Sequence, residues 1–358
     1  MDFIALKPVP LYTKLSDYDY DIPRELIAQH PLENREDARL LILNRSTGKI
    51  DHRRFHEVVE YLQPGDFLVL NNTKVMPALL QGKRISGAFL ELLLAEEGEE
   101  NQWKAFIKSN AKLKAGEEIY LADNNLAAKL LRKDEDGLWL VQFDKNYQIK
   151  DLLTRTGKMP LPPYIKRTYH NGSRFDSDTD RYQTVFAQKE GAIAAPTAGL
   201  HFTHHTLEKI KKHGVEIGFV TLHVGIGTFR PIKTDDIQKH QMQKEYYECP
   251  REIMETIERT KKRKNRVIAV GSTSCRVLES VAINNHIPST SGWTNLFIYP
   301  PYHFQYVDVL LTNFHLPKTT LLALVYAFAG RENILNTYEI AKNKGYRFFS
   351  YGDCMMIM

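Results

Sequence analysis

The residues best equipped to move protons and hold anions crowd into the stretch from Ala192 to Pro231. It opens as Ala192-Ile193-Ala194-Ala195-Pro196-Thr197-Ala198-Gly199-Leu200-His201-Phe202-Thr203. After a short amphipathic run it closes as Val220-Thr221-Leu222-His223-Val224-Gly225-Ile226-Gly227-Thr228-Phe229-Arg230-Pro231. His201 and His223 titrate near neutral pH, Arg230 suits a carboxylate or phosphate, and small residues let backbone approach a ligand. Each has a plainer reading: a histidine hydrogen-bonded in the core needs no substrate. His201, His204 and His205 also invite a zinc reading, but no acid or cysteine at metal spacing completes the set. Thr203 is expected to cap the following helix and leave His201 outside it.

Three further stretches carry chemistry. Val270-Gly271-Ser272-Thr273-Ser274-Cys275-Arg276 reads as strand, turn and helix start, whose exposed N–H groups attract anions. It lacks the Gly-x-Gly-x-x-Gly fingerprint, which disfavours a dinucleotide site or an ordinary methyltransferase. Glu279, one turn on, is placed to pair with Arg276. Phe297-Ile298-Tyr299-Pro300-Pro301-Tyr302-His303-Phe304 can stack a base, worth about 1–3 kcal/mol, or simply fill the core. Thr312-Asn313-Phe314-His315-Leu316-Pro317-Lys318-Thr319 puts Asn313, His315 and Lys318 on one strand-to-helix loop.

The elements that must position these groups separate into two kinds. Phe89–Leu94, Trp103–Lys108, Glu117–Leu121, Ala127–Leu131 and Leu138–Phe143 are short strand-like runs with no helices between them. This spacing predicts a small antiparallel barrel or sandwich. Proline-rich borders suit a domain inserted in a host, and the expected division is 15–72 and 157–358 for the host, 73–156 for the insertion and 1–14 for an irregular extension. In the host, strands at Leu40–Leu43, Phe67–Leu70, Val215–Val224, Val267–Val270, Leu296–Tyr299, Val307–Leu311 and Tyr346–Ser350 alternate with helices. The helices are expected near Phe55–Leu62, Thr203–His213, Ile253–Lys264, Cys275–Ile283, Thr320–Ala329 and Asn333–Asn343. The expected fold is therefore mixed α/β with an inserted antiparallel β-domain. The loop Asn171–Asp180 is expected to be mobile.

Composition limits the alternatives. The 358 residues are 43% hydrophobic and 25% charged, which is ordinary for globular chains. No apolar run reaches the roughly 20 residues of a membrane span, and Met1–Leu15 does not read as a signal peptide. Cys249, Cys275 and Cys354 match no metal or redox spacing and read as free thiols of a reducing cytoplasm. A net charge of +5 permits an RNA partner without establishing one. The basic run Lys261–Arg266 suits a solvated helix end.

In order along the chain, Leu26-Ile27-Ala28-Gln29-His30-Pro31, Pro64–Pro77, Met159–Lys166, Arg181-Tyr182-Gln183-Thr184-Val185, Ala194–Phe202, Val220–Pro231, Val267–Glu279, Leu311–Leu322, Ala327–Gly330 and Tyr346–Asp353 resemble one family. It is that of the S-adenosylmethionine:tRNA ribosyltransferase-isomerases of queuosine synthesis. The resemblance implies a β-barrel inserted in a larger α/β domain. It implies transfer of the ribosyl group of S-adenosylmethionine to 7-aminomethyl-7-deazaguanine at the wobble position of a tRNA with a GUN anticodon. Isomerisation then gives epoxyqueuosine, with adenine and methionine released. S-adenosylmethionine is a co-substrate there, and no metal or other cofactor is expected. A cytoplasmic monomer or homodimer with no membrane partner is implied.

Mapped onto that chemistry, His201, His223 and His315 are the expected acid–base groups. Arg230 or Arg276 is expected to hold the methionine carboxylate, and Tyr299 or Tyr302 to face the sulfonium or a base. The matching motifs add Asn71, Asn72, Thr73, Arg181, Tyr182, Thr197, Ser274, Asn313, Lys318 and Asp353 as substrate-binding residues. The chain departs from the family pattern at Leu79, where an arginine is usual, at Ala88-Phe89, where Gly-Lys is usual, and at Gln243, where histidine is common. Those departures motivate a rival, a tRNA-binding member without turnover. A metal-dependent hydrolase built on the histidine cluster is the other rival.

Overall fold

A computed structural model describes residues 12–121, 126–135, 137–167, 176–225, 227, 232–283 and 290–358. Arg230, residues 1–11 of the expected extension and residues 171–175 of the expected mobile loop lie outside the described residues. Strands β1 (Arg39–Leu43) and β2 (Ile50–Arg54) form a hairpin, and a 3-10 turn over Phe55–Tyr61 leads to β3 (Phe67–Asn71). After β4 (Thr73–Val75) come β5 (Leu79–Arg84), β6 (Phe89–Glu97), β7 (Gln102–Ser109), β8 (Glu118–Leu121), β9 (Leu126–Lys133) and β10 (Trp139–Phe143). Helices α1 (Ile149–Thr156) and α2 (Asp176–Arg181), strand β11 (Lys189–Ala192) and helix α3 (His204–Lys212) bring the chain back. The remainder is β12 (Glu216–Leu222), β13 (Glu245–Glu248), α4 (Arg251–Lys262), β14 (Val267–Val270), α5 (Gly271–Ile283) and β15 (Ser291–Thr294). It ends with β16 (Val309–Asn313), α6 (Thr320–Ala329), α7 (Arg331–Asn343) and β17 (Cys354–Ile357).

Strands β5 to β10 close into an antiparallel barrel in the order β10-β7-β6-β5-β8-β9. Alternation drives the closure: Leu90, Leu92 and Leu94 of β6, and Leu126, Ala128 and Leu130 of β9, point inward, with α1 sealing one end through Ile149 and Leu153. Each strand thus buries one face in a common core, and closure leaves no sheet edge to pair with another chain.

The host is a nine-stranded sheet, β15-β13-β12-β3-β14-β16-β17-β1-β2. Its middle strands β12, β3, β14 and β16 are mutually parallel, and β17 and β1 run against them. β14, all apolar, and β16, apolar up to Thr312 and Asn313, are buried on both faces, as parallel strands under helices must be. One face packs against α4 to α7, and the other against the Phe55–Tyr61 turn and α3. Three expected elements differ. The Phe55 segment is 3-10 rather than α-helical, and Leu296–Tyr299 is irregular, with β15 lying just before it. Tyr346–Ser350 is irregular apart from a bridge between Ile27 and Phe348, and the closing strand is β17. Tyr346, Phe348 and Phe349 are all buried, so this aromatic run fills the core on both sides instead of alternating.

Candidate active site

The parallel strands end along one edge, where open α/β sheets bind their ligands. At Gly271, with φ of +83°, the chain turns from β14 directly into α5, so Thr273, Ser274 and Arg276 occupy the first turns of that helix. From β16 the chain passes through Asn313 into the His315 loop, and α6 starts with Thr319 capping Leu322. From β12 it continues through His223 to Gly225. A cavity of about 290 Å³ lies among these ends, lined by Tyr182, Thr197, Glu245, Thr273, Arg276, Asn313 and His315. A second, of about 320 Å³, is lined by His240, Gln243, Phe297 and Leu324 and shares Glu245, Arg276 and Leu321 with the first.

Arg276 and Glu245 form a buried ion pair at that shared wall. The Arg276 Nε donates to the Leu296 carbonyl at 3.0 Å, and Glu245 Oε1 accepts from the Gly225 N–H at 3.0 Å. Among the described residues, Arg276 Nη2, Thr273 Oγ1 and Ser274 Oγ are buried without a hydrogen-bond partner. Buried polar groups normally find one, and of these three residues Arg276 and Thr273 line the first cavity, so their donors mark a place where something else bonds. His315 lines the first cavity, its Nε2 2.9 Å from Thr312 Oγ1, and burial pushes its pKa down to about 3. Burial likewise raises Tyr182 well above its usual value, so it stays a neutral phenol.

Other expected site residues are engaged in holding the rim together. Asn71 accepts from the N–H groups of Thr73 and Leu222 and donates to the Leu222 carbonyl, fastening β3 to β12. Asn72 accepts from the Thr221 hydroxyl at 2.7 Å. Thr73 Oγ1 lies 2.8 Å from His223 Nδ1, whose ring packs over Gly191 and stacks on Tyr246. Burial lowers the His223 pKa, and Glu248 partly opposes this. His201 Nδ1 and Nε2 lie 3.1 and 3.0 Å from the carbonyls of Ala198 and Gly352, which leaves neither nitrogen free for a substrate proton. Asp353 accepts from the N–H groups of Arg39 and Arg347, both at 2.8 Å. Arg181 donates to the carbonyls of Leu32 and Glu33. Lys318 pairs with Asp19 on the surface. Of the three histidines expected to handle protons, the first cavity gathers only His315.

Thr197 and Asn313 do meet there. The Thr197 hydroxyl donates to Asn313 Oδ1 at 2.9 Å, while Asn313 Nδ2 reaches the carbonyls of Phe349 and Asp353. The expected pairing of Glu279 with Arg276 does not form. Glu279 instead accepts four hydrogen bonds, from the N–H groups of Gln305, Tyr306 and Val307 and from the Tyr302 hydroxyl. That holds Tyr302 half-buried against the core, and Tyr299 packs at 4.9 Å against Phe297, with neither tyrosine lining either of the two cavities above. Thr203 caps α3 as expected, accepting from the Thr206 N–H at 3.0 Å. Glu245 was not singled out from the sequence. The signal for it is the strand alternation of Glu245-Tyr246-Tyr247-Glu248, which buries Glu245 and Tyr247.

Comparison with known proteins gives the family. The family model described as queuosine biosynthesis protein matches residues 15–357. The chain belongs to this family. Among queuosine biosynthesis proteins, one from Thermotoga maritima named S-adenosylmethionine:tRNA ribosyltransferase-isomerase is 47% identical over 345 residues, 96% of this chain and all of its own. A namesake from Sulfurihydrogenibium sp. is 49% identical over 346 residues, with the same coverage. The crystal structure of S-adenosylmethionine tRNA ribosyltransferase from Thermotoga maritima, at 2.00 Å resolution, aligns with a TM-score of 0.54 and 39% identity, covering 96% of this chain and 100% of that one. The positions expected to depart from the family pattern lie apart. Leu79 pairs with Leu93 in the barrel, Phe89 is 49% exposed on it, and Gln243 lines the second cavity.

Proposed function

We propose that this chain is an S-adenosylmethionine:tRNA ribosyltransferase-isomerase. It transfers the ribosyl group of S-adenosylmethionine to the aminomethyl arm of 7-aminomethyl-7-deazaguanine at the tRNA wobble position. The product is isomerised to epoxyqueuosine, and adenine and methionine leave. One observation carries the reading beyond family membership: the strand-end cavity of a queuosine biosynthesis protein has Glu245 and Arg276 as its only charged lining residues among those described. A zwitterionic sulfonium substrate needs a group of each sign, and a water-poor wall strengthens both interactions. Thr197, Asn313, Tyr182 and the neutral His315 offer hydrogen bonds around them.

The tRNA substrate is read as one with a GUN anticodon, acted on in the cytoplasm by a monomer or homodimer. The target base lies in a single-stranded loop, which costs less to extrude than a paired base. S-adenosylmethionine is a co-substrate in this reading, with no metal required. No helix among the described residues is long and apolar enough to cross a membrane. The test is adenine release from S-adenosylmethionine with tRNA carrying 7-aminomethyl-7-deazaguanine, with unmodified tRNA, and in excess chelator. Release that needs the modified base and survives the chelator supports the reading. Binding of tRNA without adenine release would replace it with a non-catalytic role, and loss in chelator would remove the metal-free part.

A further inference from the structure

We propose that the Glu245–Arg276 pair is the subsite for the methionine arm of S-adenosylmethionine: the Glu245 carboxylate faces the sulfonium and Arg276 Nη2 takes the α-carboxylate. The inference rests on the activity proposed above and assigns residues to one end of its co-substrate.

Burial of an ion pair is weak grounds for stability, because both charges lose their water. This pair is also incomplete, since Arg276 is 7% exposed and its Nη2 lacks a partner among the described residues. A carboxylate from a ligand would complete the guanidinium fork in the geometry arginine prefers. The side chain is already aimed, with Nε held by the Leu296 carbonyl and Nη1 by Glu245. Thr273 Oγ1, on the first turn of the same helix and on the wall of the first cavity, is a further unpartnered donor, and the helix N-terminus adds positive potential.

Glu245 is held just as firmly, between Arg276 and the Gly225 N–H. It stands on the wall common to both cavities. A methionine arm seated there leaves one cavity for the adenosine and the other for the incoming base. The carbon bonded to sulfur would then lie where both substrates reach it. Arg230, the other guanidinium expected to hold this carboxylate, is not needed for the match.

Calorimetric titration of the full chain with S-adenosylmethionine, S-adenosylhomocysteine and 5′-methylthioadenosine separates the two contacts. The first keeps sulfonium and carboxylate, the second only the carboxylate, and the third neither. The wild-type protein is expected to prefer S-adenosylmethionine over S-adenosylhomocysteine by at least about tenfold. Glu245→Gln should shrink that preference to within about threefold while S-adenosylhomocysteine binds nearly as before. Arg276→Lys keeps the charge opposite Glu245 but lacks the second arm. It should weaken both amino-acid-bearing ligands about tenfold and leave 5′-methylthioadenosine unchanged.

A sulfonium preference that survives Glu245→Gln, or an Arg276→Lys loss shared by 5′-methylthioadenosine, would overturn the assignment. So would a wild-type protein indifferent to the sulfonium, a result that needs no folded variant. Wild-type adenine release in the same preparation judges the activity itself, so failure of the subsite and failure of the reaction remain separate results.

Discussion

His315 ties the stability of this protein to acid. Its ring is sealed beside the cavity with Nε2 on the Thr312 hydroxyl, and its backbone N–H donates to Tyr338. Burial lowers its pKa from the ordinary 6.5 to about 3. Between those values the unfolded chain binds a proton at this position and the folded chain does not. Stability from the neutral ring is therefore complete above pH 6.5 and is lost as the pH falls towards the folded value. Each pH unit inside the window costs about 1.4 kcal/mol, so at about pH 5 this group alone removes about 2 kcal/mol. His201, also lowered by burial, adds to the loss with the same sign. The assay is the urea-unfolding free energy of wild type and His315→Gln across this range. Glutamine keeps a polar partner for Thr312 but does not titrate, so the variant's slope should be shallower by about one proton. Equal slopes would show that His315 is protonated in the folded protein near neutrality, and the reasoning from burial would fail.

Other outcomes follow from single contacts. Glu279→Gln replaces one of two accepting oxygens with an amide nitrogen, leaving two of the four donors unmet; at about 1.5–3 kcal/mol per bond to a charged group, urea unfolding should show a loss of about 3–6 kcal/mol. A change below about 1 kcal/mol would mean the 302–307 loop does not depend on that carboxylate. Gly191 sits at φ of +147°, and an added Cβ would lie 2.8 Å from the His223 ring. Gly191→Ala should cost about 1–3 kcal/mol and displace that ring from Thr73, visible as a shifted imidazole resonance. At Gln243, an obligatory acid–base group would be worth about 10²-fold, so Gln243→His should change tRNA-dependent adenine release by less than about tenfold. A larger gain would mark the wild-type chain as impaired.

Period-two alternation made the barrel legible, because each of its strands buries one face; the exception was β5, where Gly82, Lys83 and Arg84 dilute the apolar pattern. In the host, strands and helices were legible in kind but not always in place. Tyr346–Ser350 reads as a strand because its rings are apolar, yet rings buried on every side serve an irregular segment equally well. The polar turns at the sheet edge could be found from residue type alone. Their roles could not, since the partners that decide them are distant in sequence. Asp353 meets Arg39 across 314 residues, and His201 meets Gly352 across 151. Glu245 was hidden for the same reason: the alternation of Glu245-Tyr246-Tyr247-Glu248 hints at its burial, but only the fold sets it against Arg276.

That distinction between polar groups that brace the rim and polar groups left open can be tested directly. Strand ends expose N–H and C=O groups that no neighbouring strand satisfies, and each needs a partner. Asn71, Asp353 and His201 supply those partners, so these backbone groups of the rim are paired before any ligand arrives. Arg276 keeps a donor in reserve. Asp353→Asn should leave the Arg39 or the Arg347 N–H facing an amide nitrogen and destabilise the fold by about 2 kcal/mol in urea. Its affinity for S-adenosylmethionine, measured on the folded fraction, should stay within about threefold of wild type. Arg276→Lys should instead weaken binding about tenfold, with a stability loss of about 1 kcal/mol from the missing bond to the Leu296 carbonyl. If Asp353→Asn instead lost binding without losing stability, its carboxylate would belong to the substrate site, and the line between brace and binding group would have to be redrawn through it.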